Sequence, residues 1–370
     1  MRTVAFVAVG LAVTAGLGAV AQPVVLERLD RGLLDAAAPS ERVNGDVGAL
    51  TVEERACRTD VADADIRRRI VNIAAQEWGY FGFSVVDETE PDMDIPTWDF
   101  TLQSADQLVA LLQAGALEAR RFPRRWPRPD AAELRRTAAS VAGFWAVTPE
   151  GGWIVANQND IWSGPDAWSE TGRSPRWRDP WSAAFISWVM CEAGLGTTDR
   201  FQRAVAHRVY VDQAIRAGDG AVAAAAFVAR DLGEVAIGPG DLLCSSRSPV
   251  YRSIAERRRH MGQGARSHCD IAVAIDGEKQ LILAIGGNVR GTVSLKILPA
   301  VRSPGGSLRP SPIADDERHI MFAHLVLQAE PIEANALVYS PTVWVVACQA
   351  AVPAPQQLAG VGLFDIDGAC

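Results

Sequence analysis

The spacing of apolar residues changes once along this chain, and that change limits its fold more than any other feature. Between residues 65 and 216, apolar positions recur every three or four residues, as on one face of a helix. From residue 241 onward they alternate or form short runs, as in strands. The links between these predicted strands are short, which favours antiparallel neighbours. The sequence therefore predicts an α+β fold in which helices are followed by an antiparallel sheet.

Five helical segments are predicted before the change of pattern. The first begins at Asp65, and the second spans residues 104–120. The third follows Asp130, the fourth follows Asp179, and the fifth contains His207 and Tyr210. After the change, strands are predicted at 241–244, in HCDIAVAID, in QLILAIGGN and in TVSLKIL. The later runs IMFAHLVLQ and TVWVVACQA are predicted to be strands of the same sheet or a small appendage.

The helix that opens with DPWSAAFISWVM places a serine near its start. Asp179 suits the N-cap, Pro180 suits the first helical position, and Gly194 is expected to end the helix. Ser182 is then expected in the first turn, where unpaired backbone N–H groups and the helix dipole favour negative charge. Because serine is common at helix starts, Ser182 indicates a functional site only together with other motifs.

The first residues have the pattern of a secretory signal. Arg2 precedes an uncharged run, and Ala19 and Ala21 form a small-residue cleavage site. We predict a signal peptide at 1–21 and an exported protein, periplasmic or extracellular; the alternative is an uncleaved membrane anchor over 4–21. Cleavage removes Arg2 and takes the formal net charge from −8 to −9. An acidic exported chain is a poor candidate for nucleic-acid binding, and no membrane association is expected after cleavage.

Composition divides the rest of the chain. Residues 22–62 lack strong periodicity and carry Pro, Gly, Asp and Arg, so we predict a linker or a loosely packed extension. Residues 63–300 hold the predicted helices and sheet. Residues 301–370 are predicted to be C-terminal strands or an extension.

Six cysteines would enter an oxidising compartment after export: Cys57, Cys191, Cys244, Cys269, Cys348 and Cys370. Disulfides are expected, but six cysteines allow fifteen connectivities and the sequence does not choose among them. No Cys/His spacing suggests a metal site, and no cofactor is predicted. The cysteines are interpreted as structural. The one alternative nucleophile among them is Cys244, provided that the end of its strand lies beside the site.

Tryptophan and arginine are unevenly distributed. Eight of the eleven tryptophans lie between Trp126 and Trp188. They form either an aromatic platform for sugars or peptides or, as we prefer, the core beneath an irregular loop, because large rings are usually buried. The Arg-rich stretch 246–267 is either solvated surface or a border of the site that attracts an anionic polymer such as wall material.

Three polar residues stand in an order typical of a nucleophilic site: Ser182 at a helix start, His268 leading into a later strand, and Asn288 one strand further on. The runs WSAAFISW, PGDLL, HCDIAVAIDG and AIGGNVRGTV resemble the NlpC-like and CHAP-like cell-wall peptidases and amidases of the papain-like superfamily. They also resemble the bacterial family of unknown function numbered 2272, taken as an outlying branch of that superfamily. The resemblance covers roughly residues 65–300.

The resemblance implies a papain-like, NlpC-type domain. In the active relatives a cysteine occupies the place of Ser182, the histidine corresponds to His268, and the orienting polar residue corresponds to Asn288, with Asp270 as a competing candidate. The serine is the departure from that pattern. A cysteine thiolate forms readily beside an imidazole and a helix N-terminus, whereas serine needs a base during attack. Serine with histidine and an orienting amide or carboxylate is workable chemistry on other folds.

Three hypotheses of function follow. The first is an exported hydrolase of amide bonds in peptidoglycan or similar peptides, in which Ser182 attacks, His268 moves the proton, and Asn288 or Asp270 orients the imidazole. The second is a binding module for wall peptides or glycans that kept the cleft and lost hydrolysis. The third is a structural envelope protein. His207 is expected to pack or cap within its helix, or to line the cleft.

Overall fold

The computed structural model describes residues 26–89, 98–101, 131–168, 177–311 and 320–351. The predicted signal peptide, the predicted helix at 104–120, Trp126 and Cys370 lie outside these ranges. Within them are seven α-helices: α1 Asp63–Tyr80, α2 Ala131–Ala146, α3 Gly151–Trp162, α4 Ser182–Glu192, α5 Arg208–Gly218, α6 Ile254–Arg258 and α7 Pro341–Ala351. None of these described helices combines the length and the apolar character needed to cross a membrane.

The same ranges contain eleven strands: β1 Val43–Asn44, β2 Thr51–Val52, β3 Ser84–Asp87, β4 Trp98–Thr101, β5 Phe227–Arg230, β6 Leu242–Ser248, β7 Arg266–Asp276, β8 Leu281–Val289, β9 Thr292–Arg302, β10 Leu308–Pro310 and β11 Ile320–Leu327. The main sheet has the order β4-β3-β9-β8-β7-β6-β11-β5, with β10 paired to β9. Its neighbours are antiparallel except for β3 and β9, which are parallel. The α+β class is confirmed. The order of elements is less strict than predicted, because β3 and β4 come from the helical part of the chain.

Helix α4 lies at the centre of the larger core. From Ala183 to Cys191 no side chain is more than 1% exposed. A helix that is apolar on all sides must be covered on all sides, and α4 contacts α1 and α2 as well as β7 and β8. A smaller apolar cluster includes Leu243. Leu243 neighbours Cys244 of the larger core along β6, so the two clusters cover opposite faces of the sheet.

The predicted start of α4 is wrong by two residues. The helix begins at Ser182, and the capping position is held by Trp181 without a side-chain cap hydrogen bond. Trp181 is fully buried and packs against the rings of both Phe81 and Phe144, with centroids 5.7 Å away in each case. Burial of this ring outweighs the local preference for Asp179 as the cap. The predicted end is confirmed, since Gly194 follows the helix with a φ of +107°.

Two further boundaries differ from the predictions. The first helix begins at Asp63 and not at Asp65. The run TVWVVACQA, predicted as a strand, belongs to helix α7, with Pro341 at its first position. Val343 and Val346 are three residues apart and are both buried, and α7 packs on α1. The valines suggested a strand, but their spacing places them on one helical face.

Residues 26–62, part of the predicted linker, make specific contacts with the helical layer. Arg42 is 2% exposed and its Nη2 lies 2.6 Å from Oε1 of Glu192. Cys57 forms a disulfide with Cys191 of α4. A Cβ atom on Gly143 of α2 would lie 1.8 Å from the carbonyl oxygen of Pro39, so the chain approaches α2 closely. The division of the whole chain into domains stays a prediction.

The tryptophan-rich region is mainly core. Four of its rings are buried, at Trp145, Trp162, Trp181 and Trp188. Trp168 and Trp177 are half-buried and pack against the same cluster, while Trp153 is 63% exposed. Among the described residues, the interpretation as core therefore fits all of these rings except Trp153.

A buried carboxylate, Asp241, links helix α1 to strand β11 of the sheet. Its Oδ1 lies 2.8 Å from Nη1 of Arg67, and its Oδ2 lies 2.8 Å from Nε2 of His324. Burial alone would raise the pKa of Asp241. Hydrogen bonding and charge from His324, together with the charge of Arg67, outweigh burial and hold the pKa below its usual value of 3.8.

We predict that Asp241→Asn lowers the free energy of unfolding by about 3 kcal/mol at pH 7, because it leaves a buried guanidinium without its carboxylate. Since the folded pKa is below the unfolded one, this contribution is complete above pH 3.8 and is lost as the pH falls through the folded pKa. Urea unfolding at pH 7, 5, 4 and 3 measures the free energy of unfolding of both proteins. The difference between Asp241→Asn and wild type should shrink only at the lowest pH values. Asp60→Asn, at a side chain 74% exposed, is the control. A difference that stays constant with pH would argue against this role.

Candidate active site

Ser182 is the first residue of α4, and its hydroxyl faces a histidine. The first i to i−4 bond of the helix runs from the N–H of Phe185 to the carbonyl of Trp181 at 2.9 Å. The N–H groups of residues 182–184 therefore have no helical acceptor. The half-buried Ser182 places its Oγ 2.6 Å from Nε2 of His207.

His207 lies at the cap of α5, and its other ring nitrogen is also engaged. The hydroxyl of Tyr210 contacts Nδ1, and the backbone N–H of Cys269 donates to the same nitrogen at 3.2 Å. Burial, and to a lesser extent the nearby His268, lower the pKa of His207 well below 6.5. Burial likewise raises the pKa of Tyr210 well above its usual value. At neutral pH this cluster consists of an uncharged imidazole and an un-ionised phenol.

His268 lies on β7 and is held by a carboxylate on the same strand. Its Nε2 is 2.8 Å from Oδ1 of Asp270, and Oδ2 of Asp270 accepts a hydrogen bond of 2.8 Å from Nζ of Lys296 on β9. Burial would raise the pKa of Asp270, but its interactions with His268 and Lys296, including a hydrogen bond from each, outweigh burial and hold that pKa well below its usual range. Burial lowers the pKa of His268, and Asp270 offsets part of this effect. The result is a neutral imidazole oriented by an ionised carboxylate.

The structure brings the predicted residues together only in part. The rings of His207 and His268 have centroids 5.2 Å apart, so Ser182 and both histidines belong to one cluster. The hydroxyl of Ser182, however, contacts His207 and not His268. From the sequence, His207 was expected to pack, to cap its helix or to line the cleft, and neither Tyr210 nor Lys296 was predicted as a site residue. The one available signal was Tyr210 three residues after His207, on the same helical face.

Asp270 and Asn288 were the two candidates for orienting His268, and in the structure Asp270 makes the hydrogen bond to its ring. Asn288 lies further along β8, half-buried, with a φ of +56°. Asparagine tolerates this left-handed conformation better than most residues, which suits a position beside the turn between β8 and β9. The geometry therefore favours Asp270 as the residue that orients the imidazole.

Gly286 on β8 lets His268 and Asp270 approach each other. A Cβ atom at this position would lie 1.9 Å from Oδ1 of Asp270 and 3.0 Å from Nε2 of His268. We predict that Gly286→Ala displaces the Asp270 side chain and lowers the free energy of unfolding by about 2 kcal/mol. Chemical denaturation would measure the loss. Gly264→Ala is the matched control, because nothing lies within 4 Å of its added Cβ. Equal stability of the two variants would contradict the close approach.

The cysteines near the site are oxidised. Cys244 and Cys269 face each other across β6 and β7 and form a disulfide. Cys244 is therefore not available as a thiol, and the alternative in which it is the nucleophile is wrong for this oxidised form. Cys348 is also disulfide-bonded, and no described cysteine is free. In the described ranges, no group of three or more His, Cys, Asp or Glu side chains is arranged to hold a metal ion.

The Arg-rich stretch contributes positive charge beside the cluster. Arg247 is exposed where the register of β6 and β7 shifts, and its charge contributes to the lowered pKa values of His207 and His268. Arg257 is instead buried and paired with Asp212 at 2.7 Å. Part of this stretch therefore borders the candidate site and part is structural. Binding of an anionic polymer there stays a prediction.

Comparison with known proteins identifies the family of this chain. No curated protein and no solved structure matches the chain significantly. The profile of one bacterial family matches residues 135–327, a range that includes Ser182, His207, His268 and Asp270. This match covers more than half of the 370 residues. The chain belongs to the family described as uncharacterized protein conserved in bacteria (DUF2272).

Proposed function

We propose that the chain is an exported, NlpC-like hydrolase that cleaves an amide bond in peptidoglycan peptides, with Ser182 as the nucleophile. One observation carries the proposal: a hydroxyl at the start of α4 lies in a cluster with two neutral imidazoles, one of which is oriented by an ionised carboxylate. Nucleophile, proton acceptor and orienting group are the three parts that acyl transfer by serine requires.

In this mechanism Ser182 Oγ forms a bond to the carbonyl carbon of the substrate amide. The hydroxyl proton passes to His268, directly or through one water, and then to the nitrogen that leaves as the amine. Water next attacks the acyl ester, gives a proton to the same histidine, and releases the carboxylic acid as the Ser182 hydroxyl re-forms. Asp270 keeps the imidazole in one orientation and stabilises its positive form.

The N-terminus of α4 supplies groups suited to the charge that develops in this reaction. The N–H groups of residues 182–184 have no acceptor within the helix, and the helix dipole favours negative charge at this end. A tetrahedral oxyanion formed at Ser182 would lie beside these donors. Such preorganised donors are worth about 3 kcal/mol in enzymes that use them.

The choice of substrate rests on the compartment and on the resemblance. The predicted signal peptide and the disulfides Cys57–Cys191 and Cys244–Cys269 suit an oxidising environment outside the cytoplasm, where peptidoglycan lies. The test is mass spectrometry of fragments released from purified peptidoglycan by the mature protein. We expect soluble peptides with a new amine end and a new carboxyl end at one type of amide bond.

A second candidate function is a module that binds wall peptides without cleaving them. It is favoured by burial, since His207 and His268 are each only 4% exposed and leave little room for a reacting amide. The same experiment separates the two candidates when sedimentation with the insoluble wall is measured beside release. Co-sedimentation without any released fragment, by the wild type at every pH from 5 to 9, would select the binding module.

A further inference from the structure

The two nitrogens of His207 differ in what faces them, and this difference determines where its proton lies. Nδ1 receives the backbone N–H of Cys269 at 3.2 Å. A backbone N–H only donates, so a proton on Nδ1 would point at another proton. Nδ1 is therefore the unprotonated nitrogen of this ring.

Tyr210 supports the same assignment. Its hydroxyl contacts Nδ1 of His207, and because burial raises the pKa of Tyr210, the phenol keeps its proton and donates it. Nδ1 thus accepts from two donors, one from α5 itself and one from β7. A neutral imidazole carries a single proton, which must then lie on Nε2, the nitrogen 2.6 Å from Ser182 Oγ.

We propose that His207 is a fixed Nε2–H donor to Ser182 Oγ, and that the serine proton is taken by His268. Proton uptake by His268 rests on the proposed function, whereas the hydrogen bond from His207 to Ser182 concerns the resting protein alone. In a serine triad the histidine nitrogen nearest the serine is unprotonated and accepts. In His207 the nitrogen that faces Ser182 already carries a proton. His207 therefore has no unprotonated nitrogen facing Ser182 that could accept the serine proton.

His268 has the complementary arrangement. Its Nε2 lies 2.8 Å from an ionised Asp270, which only accepts, so the proton of the neutral ring lies on Nε2. Nδ1 of His268 is then unprotonated, whereas the unprotonated Nδ1 of His207 already accepts from Tyr210 and Cys269. The two histidines divide the work: His207 donates to the serine oxygen and stabilises its developing negative charge, and His268 accepts the proton.

The first test observes the tautomer directly and needs no activity. Long-range ¹H–¹⁵N NMR of the ¹⁵N-labelled mature protein at pH 7 should show His207 with a protonated Nε2 and an unprotonated Nδ1. His207→Gln identifies the signals. A proton on Nδ1 of His207, or a doubly protonated ring, would overturn the inference even if the protein cleaves peptidoglycan. A protonated Nε2 in a protein that cleaves nothing would uphold the resting hydrogen bond and reject the hydrolase.

The second test uses the variant Ser182→Cys, in which the rate of alkylation by iodoacetamide against pH reports the thiol pKa. Adding His207→Gln keeps an N–H donor and removes any base. We therefore expect the midpoint of the alkylation profile to lie within about 0.3 pH units of the midpoint for Ser182→Cys alone. Adding His207→Ala removes the donor and should slow alkylation at pH 7 about 10-fold. His260→Gln, at an exposed histidine, is the control. Equal losses for Gln and Ala would show that His207 acts as a base.

Discussion

Replacing Ser182 by alanine is expected to lower the release of peptides from peptidoglycan by at least about 1,000-fold, because the alanine variant has no atom that can form the acyl ester. The fold should survive. Ser182 is half-buried, and its loss leaves only the Nε2–H of His207 without an acceptor, at a cost of about 1–2 kcal/mol. Release is measured by mass spectrometry over a time course, and co-sedimentation with the wall is measured in parallel.

A second serine on the same helix provides the matched control. Ser187 is fully buried, and its hydroxyl donates to the carbonyl of Ala204 and accepts from the N–H of the same residue, both at 3.0 Å. Ser187→Ala should lower the free energy of unfolding by about 1 kcal/mol and leave peptide release unchanged. If Ser182→Ala still releases peptides at the wild-type rate, Ser182 is not the nucleophile. If Ser187→Ala loses release as well, the effect of either change is structural.

The sequence predicted the central elements because their patterns are local. Helix α4 and strands β6 to β9 were found from apolar spacing and from turn residues such as Gly194, whose positive φ ends the helix. Errors arose where tertiary packing decided the outcome. Burial of Trp181 moved the start of α4, and packing against α1 made a helix of the valine-rich run that begins after Pro341.

The site shows the same limit. Ser182, His268 and Asn288 were predicted from motif order, with Asp270 as the alternative to Asn288. The hydrogen bond between His268 and Asp270 needs only their alternation on one strand. The contact of Ser182 with His207 is different in kind. It joins the start of α4 to the start of α5, and it depends on a backbone N–H of β7 for its orientation. Nothing in the local sequence around His207 records these distant partners.

Disulfide pairing could not be predicted for a similar reason. Cys244 and Cys269 pair because the register of β6 and β7 sets them directly opposite each other. A register of this kind is fixed by two whole strands and the loop between them, and a change of one residue would turn one cysteine to the other face. Cys57 and Cys191 are 134 residues apart, and they meet only because residues 26–62 pack on α4.

Removing the Cys57–Cys191 disulfide is expected to cause the largest loss of stability. In the chain-entropy account, a cross-link over 134 residues restricts the unfolded chain strongly, so Cys57→Ala with Cys191→Ala should lower the free energy of unfolding by about 5 kcal/mol. The disulfide also anchors the segment that carries Arg42. The buried ion pair between Arg42 and Glu192 remains after the change, but it then holds this segment without a covalent link. Urea unfolding of the oxidised proteins measures the loss.

The second disulfide tests whether loop length is the cause. Cys244 and Cys269 are only 25 residues apart in the sequence, so the corresponding double alanine variant should lose about 3.5 kcal/mol, less than the first. Limited proteolysis adds a second readout, since cleavage within residues 26–62 should increase only when Cys57 is unpaired. Equal losses for the two variants, with no change in cleavage, would mean that packing around α4 and not the long covalent loop holds this segment in place. The ordering of the two losses is therefore a test of how the N-terminal segment is fastened to the helix that carries Ser182.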